Sequence, residues 1–169
     1  MLRVVDITEI SAIVAAAGVL AGVVYYVLQM RNQTRMRKTD LIVRINPWFN
    51  ISPKELLEYA NTVLALEYKN YDDFVQKYGS LYGGKPEANA LRTLLNWADG
   101  LGMLLKRDLV DLDIVVDSYG GIAEVFWEKV KPLVEGYRKD THYQHHYESF
   151  EYLVNVIEKR QQQLASKKA

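Results

Sequence analysis

The residues best equipped for chemistry crowd together near position 140. His142, His145 and His146 are the only histidines of the chain, with Asp140 and Glu148 beside them. On a helix, His142 and His146 share a face at i, i+4, and with a carboxylate they offer the nitrogen and oxygen donors that zinc takes. A metal site at His142, His145 and His146 is one expectation; solvated imidazoles at a polar helix start are the plain alternative. Arg138 stands seven positions before His145. In such a pair a guanidinium can hold a phosphate while an imidazole takes a proton from a ribose hydroxyl. Gly79-Ser80-Leu81-Tyr82-Gly83-Gly84-Lys85-Pro86 nearly matches the phosphate-cradling pattern GxxxxGK[ST]. Pro86 stands where the magnesium hydroxyl is needed, and a helical pattern rather than a strand precedes the loop. Asp108, Asp111, Asp113 and Asp117 lack the glycine and glutamate of a calcium loop and read as helix caps and first-turn acids. No catalytic constellation is complete, and no cofactor is expected.

The elements that must position these groups follow from charge and apolar spacing. With 49% hydrophobic and 25% charged residues the chain is expected to fold. It has no cysteine, which removes disulfides, thiolate metal sites and cysteine nucleophiles. Basic and acidic residues balance at 21 each, but Arg3, Arg31, Arg35, Arg37 and Lys38 face only Asp6 and Glu9 before position 39. The remaining body is mildly acidic, so no nucleic-acid partner is expected.

Ile10 to Met30 carries no charge, and only Ser11, Tyr25, Tyr26 and Gln29 are polar. A helix of that length reaches about 30 Å, the thickness of a bilayer's hydrocarbon layer. A cleaved leader fits poorly, because two acids outnumber Arg3 ahead of the run and no small-residue cleavage pattern follows it. A retained single transmembrane helix over 10–30 is expected, after a short extracytoplasmic segment, 1–9. Arg31, Arg35, Arg37 and Lys38 behind it place the C-terminal side in the cytoplasm at the cell membrane and attract anionic lipid, at about 1 kcal/mol per residue. Gly18 and Gly22 form a GxxxG face, extended by Ser11 and Ala15, through which two such helices can pair as a homodimer.

The body reads as helical throughout. A basic juxtamembrane helix, 31–46, is expected to end at Pro47, and a cytoplasmic helical domain of five to six helices to fill 47–164, with a frayed tail at 165–169. Ser52-Pro53-Lys54-Glu55 is a capping box with proline at the first helical position, followed by Leu56, Leu57, Ala60, Val63, Leu64 and Tyr68 at helical spacing. Tyr71 to Tyr78 makes a short helix stopped by Gly79, and Ser80 to Lys85 reads as a flexible loop. From Pro86, the stripe Leu91, Leu94, Leu95, Ala98, Leu101 and Leu105 contains Gly100 and Gly102, whose expected role is close approach of another helix. Asp111 caps a short helix expected to close at Gly120. A further stripe follows: Ile122, Val125, Phe126, Val130, Leu133, Val134 and Tyr137, with a kink at Pro132. A last helix from Tyr143 to Leu164 buries Tyr147, Phe150, Leu153, Val154 and Ile157. Trp97 and Trp127 lie beside their stripes, and if exposed with Tyr59 or Tyr82 they would form an aromatic partner groove. No alternating strand pattern appears, so the expected class is all-α.

Two resemblances bear on function. The Arg138–His145 pair resembles the Arg-x(4–6)-His element of HEPN ribonucleases, which are also small and helical. A longer likeness runs through Gln29-Met30-Arg31-Asn32-Gln33-Thr34-Arg35, Tyr71-Asp72-Asp73-Phe74 and Gly100-Leu101-Gly102-Met103-Leu104-Leu105-Lys106-Arg107. It continues through Leu109-Val110-Asp111-Leu112-Asp113, Trp127-Glu128-Lys129-Val130-Lys131-Pro132 and Phe150-Glu151-Tyr152-Leu153. Over about residues 20–160 the chain resembles the prokaryotic domain-of-unknown-function family numbered 4760. That resemblance implies a membrane-tethered helical domain of an archaeon or bacterium, with no established activity and no catalytic residues to carry over. The expected function is a non-enzymatic interaction or scaffold module that presents a helical surface to a cytoplasmic protein. The alternatives are a membrane-associated ribonuclease using Arg138 and His145, and a metal or ligand sensor at the histidines.

Overall fold

A computed structural model describes residues 7–45 and 47–166. The first six residues of the expected N-terminal segment, Asn46 before the proline break, and residues 167–169 of the expected tail lie outside the described residues. Among the described residues the structure is all-α: six α-helices, one short 3-10 turn and no strand. The helices are α1 (Ile7–Ile45), α2 (Pro53–Leu64), α3 (Tyr71–Tyr78), α4 (Pro86–Lys106), α5 (Leu112–Thr141) and α6 (Glu148–Ser166), with the 3-10 turn at Pro47–Asn50. The chain divides into two compact units, Met1–Asp40 and Leu41–Ala169.

The first unit is a length of helix. Within α1, the stretch Val14–Arg44 is long and apolar enough to cross a membrane, and none of its apolar window is buried. Side chains such as Val19, Leu20 and Val24 stay more than half exposed. Such an apolar surface is costly in water, at roughly 25 cal/mol per Å², and costs nothing in hydrocarbon.

In the second unit local sequence starts most helices. Glu55 N–H donates to Ser52 Oγ at 3.2 Å and Ser52 N–H donates to the Glu55 carboxylate at 3.0 Å, closing the capping box of α2. The Ser52 hydroxyl also donates to that carboxylate at 2.6 Å, and this bond, with the Ser52 N–H, holds the Glu55 carboxyl below its usual pKa. Asn70 caps α3 through Asp73 N–H at 2.9 Å, and Asp111 caps α5 through Asp113 N–H at 2.8 Å.

α6 has no such residue of its own. Asp99 supplies the cap from α4: its Oδ1 accepts both Ser149 N–H and Phe150 N–H at 3.0 Å. Burial raises the Asp99 pKa, and the two N–H donors offset that only in part. Gly102, one turn further along α4, sits so close to the Ser149 carbonyl that any Cβ would collide with it. The close approach expected here is, at Gly102, the docking of α6 onto α4. The core then forms where α4 meets α2 and α6, and α5 meets α3 and α6. Phe74, Leu81, Leu91, Leu95, Leu133, Phe150 and Ile157 are fully enclosed there.

Three local expectations are corrected. The helix begun at Asp111 does not close at Gly120 but runs on through Gly121 to Thr141. An added Cβ on Gly120 would lie 2.9 Å from Gln161 and 3.6 Å from Ile157, so this glycine admits α6. The contact offsets its helix penalty of about 1 kcal/mol. α5 runs through Pro132, as expected; Glu128 and Pro132 lie on its exposed side, where water can take the freed carbonyl. The last helix begins at Glu148 rather than Tyr143, because His142 (φ 59°) and Tyr147 (φ 59°) are left-handed and fold the intervening residues into a turn. The Ser80–Lys85 loop is anchored: Leu81 is fully buried, and Lys85 Nζ donates to the Lys77 carbonyl at 2.7 Å, closing the end of α3.

Asp99→Ala removes the α6 cap and is expected to lower unfolding stability by about 1–2 kcal/mol. Asp99→Asn should lose much less, because a single oxygen accepts both bonds and an amide oxygen can replace it. Denaturant midpoints in detergent compare the two; equal losses would show that the charge, not the cap, matters.

Candidate functional site

An apolar groove of about 550 Å³ lies between α2, α4 and α5 in the second unit. Its α2 wall is Pro53, Leu56, Leu57, Ala60 and Leu64; its α5 wall is Tyr119, Gly121, Ile122, Val125 and Phe126; Leu94 and Trp97 of α4 form the floor. No ionisable group other than the Tyr119 phenol lines it. Helical spacing produces this geometry directly. On α2 the apolar arc from Leu56 to Leu64 is wider than one neighbour can cover, so Val63 is buried while Leu57 and Leu64 remain 62% and 53% exposed. On α5 the same surplus leaves Ile122 70% and Val125 61% exposed, while Val130, Leu133 and Val134 turn inward. The expected burial of Ile122 and Val125 is corrected accordingly. Gly121 adds width, since a Cβ there would meet nothing within 4 Å.

The groove is held open by rigid parts. Trp97 packs edge-on to Tyr119 at 5.2 Å, and Phe126 stacks on Phe150 at 5.3 Å. Lys129 Nζ donates to the carbonyls of Leu64 (2.9 Å) and Leu66 (2.8 Å), fastening the end of α2 to α5, and Tyr68 Oη donates to the Lys129 carbonyl at 2.8 Å. Trp127 is buried edge-on against Phe150. Tyr82 lies away from the groove, beside His146.

The residues singled out for chemistry are placed as follows. His142 caps the end of α5, its Nδ1 3.3 Å from the Lys139 carbonyl. His145 is exposed and pairs with Glu148 at 2.9 Å. His146 is half-buried among Tyr82, Tyr137, Tyr143 and Tyr147, with its Nε2 3.1 Å from the Tyr82 hydroxyl. The three rings thus meet three different partners on a turn, and no helix face unites them. Among the described residues no group of three or more His, Asp or Glu side chains is placed to hold a metal ion. Arg138 Nε donates to the His146 carbonyl and Nη1 to Glu151, both at 2.9 Å, so its guanidinium fastens α5 to α6 while His145 engages Glu148. Asp113 receives Arg160 in a two-point pair at 2.6 and 2.9 Å. Arg31, Arg35, Arg37 and Lys38 are exposed along α1. Gly18 and Gly22 are exposed too, with nothing within 4 Å of an added Cβ.

A family described as a domain of unknown function (DUF4760) matches residues 11–157 of the chain. No curated protein and no solved structure matches it.

Two outcomes follow from this geometry. Ile122→Ser and Val125→Ser are expected to shift stability by no more than about 0.5 kcal/mol. Leu133→Ala, on the buried side of the same helix, should cost about 2–5 kcal/mol; similar losses at all three would show the groove wall to be core. Burial lowers the His146 pKa below 6.5; Arg138 adds to this and Asp99 opposes it. The unfolded chain takes up this proton first, so stability present above that value falls with decreasing pH, by at most about 1.4 kcal/mol per pH unit. His146→Gln should flatten that slope in unfolding titrations, and an unchanged slope would assign it elsewhere.

Proposed function

We propose that this chain, which belongs to the DUF4760 family, is a non-enzymatic interaction module tethered to the cell membrane by α1. The observation that carries the reading is the apolar groove of α2, α4 and α5, with Leu57, Leu64, Ile122 and Val125 more than half exposed along it. Monomeric soluble surfaces rarely leave contiguous apolar area of this kind uncovered, and rimmed patches mark docking sites. The tether supplies the location. α1 crosses the bilayer once, with the N-terminus outside and the helical domain in the cytoplasm, because Arg31, Arg35, Arg37 and Lys38 follow the apolar run. Those four cations lie against anionic headgroups and hold the juxtamembrane helix at the surface. The exposed Gly18–Gly22 face supports pairing of two tethers, since it lets helix backbones approach closely in lipid.

The absence of cysteine makes topology direct to test. A single cysteine at Ser80 should be shielded from a membrane-impermeant maleimide in intact cells, and one at Thr8 should be labelled; the reverse pattern overturns the orientation. Gly18→Ile with Gly22→Ile should reduce the detergent-solubilised protein to a monomer, and an unchanged size removes the pairing. A photoreactive side chain at Ile122, in native membranes, should crosslink to one polypeptide, with the adduct lost on Leu57→Glu. No crosslink, or one insensitive to that change, overturns the docking role.

A further inference from the structure

We draw no further inference here: the strongest candidate, the apolar groove between α2, α4 and α5, belongs to the site already described, and nothing in the structure shows what covers it.

Discussion

The N-terminus of α6 presents backbone N–H groups that no residue of its own turn satisfies, and the half-buried carboxylate of Asp99 takes two of them from α4. Leaving such donors unmet away from water would cost up to about 1–3 kcal/mol each. The cap therefore fixes where α6 enters, and Gly102 fixes how closely. Once the entrance is set, His146 is drawn in among tyrosines, Arg138 is committed to Glu151 and the His146 carbonyl, and Phe150 is delivered to the centre of the core beside Trp127. The crowding of titratable residues near position 140 is largely the consequence of this one joint.

The other half of the domain is governed by supply of apolar surface. α4 is enclosed on most sides, and α6 covers the inner face of α5. Among the described residues of the second unit, no element covers the outer rows of α2 and α5, so Leu57, Leu64, Ile122 and Val125 are exposed within that unit. Gly120 and Gly121 mark the division: the first admits α6, the second widens the groove on the outer side. One adjacent pair of glycines thus faces both surfaces of the same helix.

α1 obeys a different rule. From Val14 to Met36 its apolar side chains are exposed on every side, so that stretch has no inward-facing stripe. The chain thus leaves two kinds of apolar surface uncovered within its units, one around a long helix and one on a single face of a helical pair.

Much of this was legible in the residues alone. The apolar run before Arg31, the capping box at Ser52, the cap at Asp111 and the stripe of α4 depend on neighbours within a turn or two, and hydrogen bonding at that range is written locally. What failed was local evidence read without its distant partner. Gly120 looked like a stop, though α6 packs on it; His142 and His146 looked like one helical face, though left-handed residues at 142 and 147 turn the chain. Ile122 and Val125 read as core because they continue the stripe of Val130 and Leu133. The excess width of the apolar arcs on α2 and α5 was a visible signal, but periodicity gives a direction and not an occupant. Sequence determined which segments are helices and which faces are apolar; tertiary structure decided which of those faces are covered, because burial depends on elements far away in the chain.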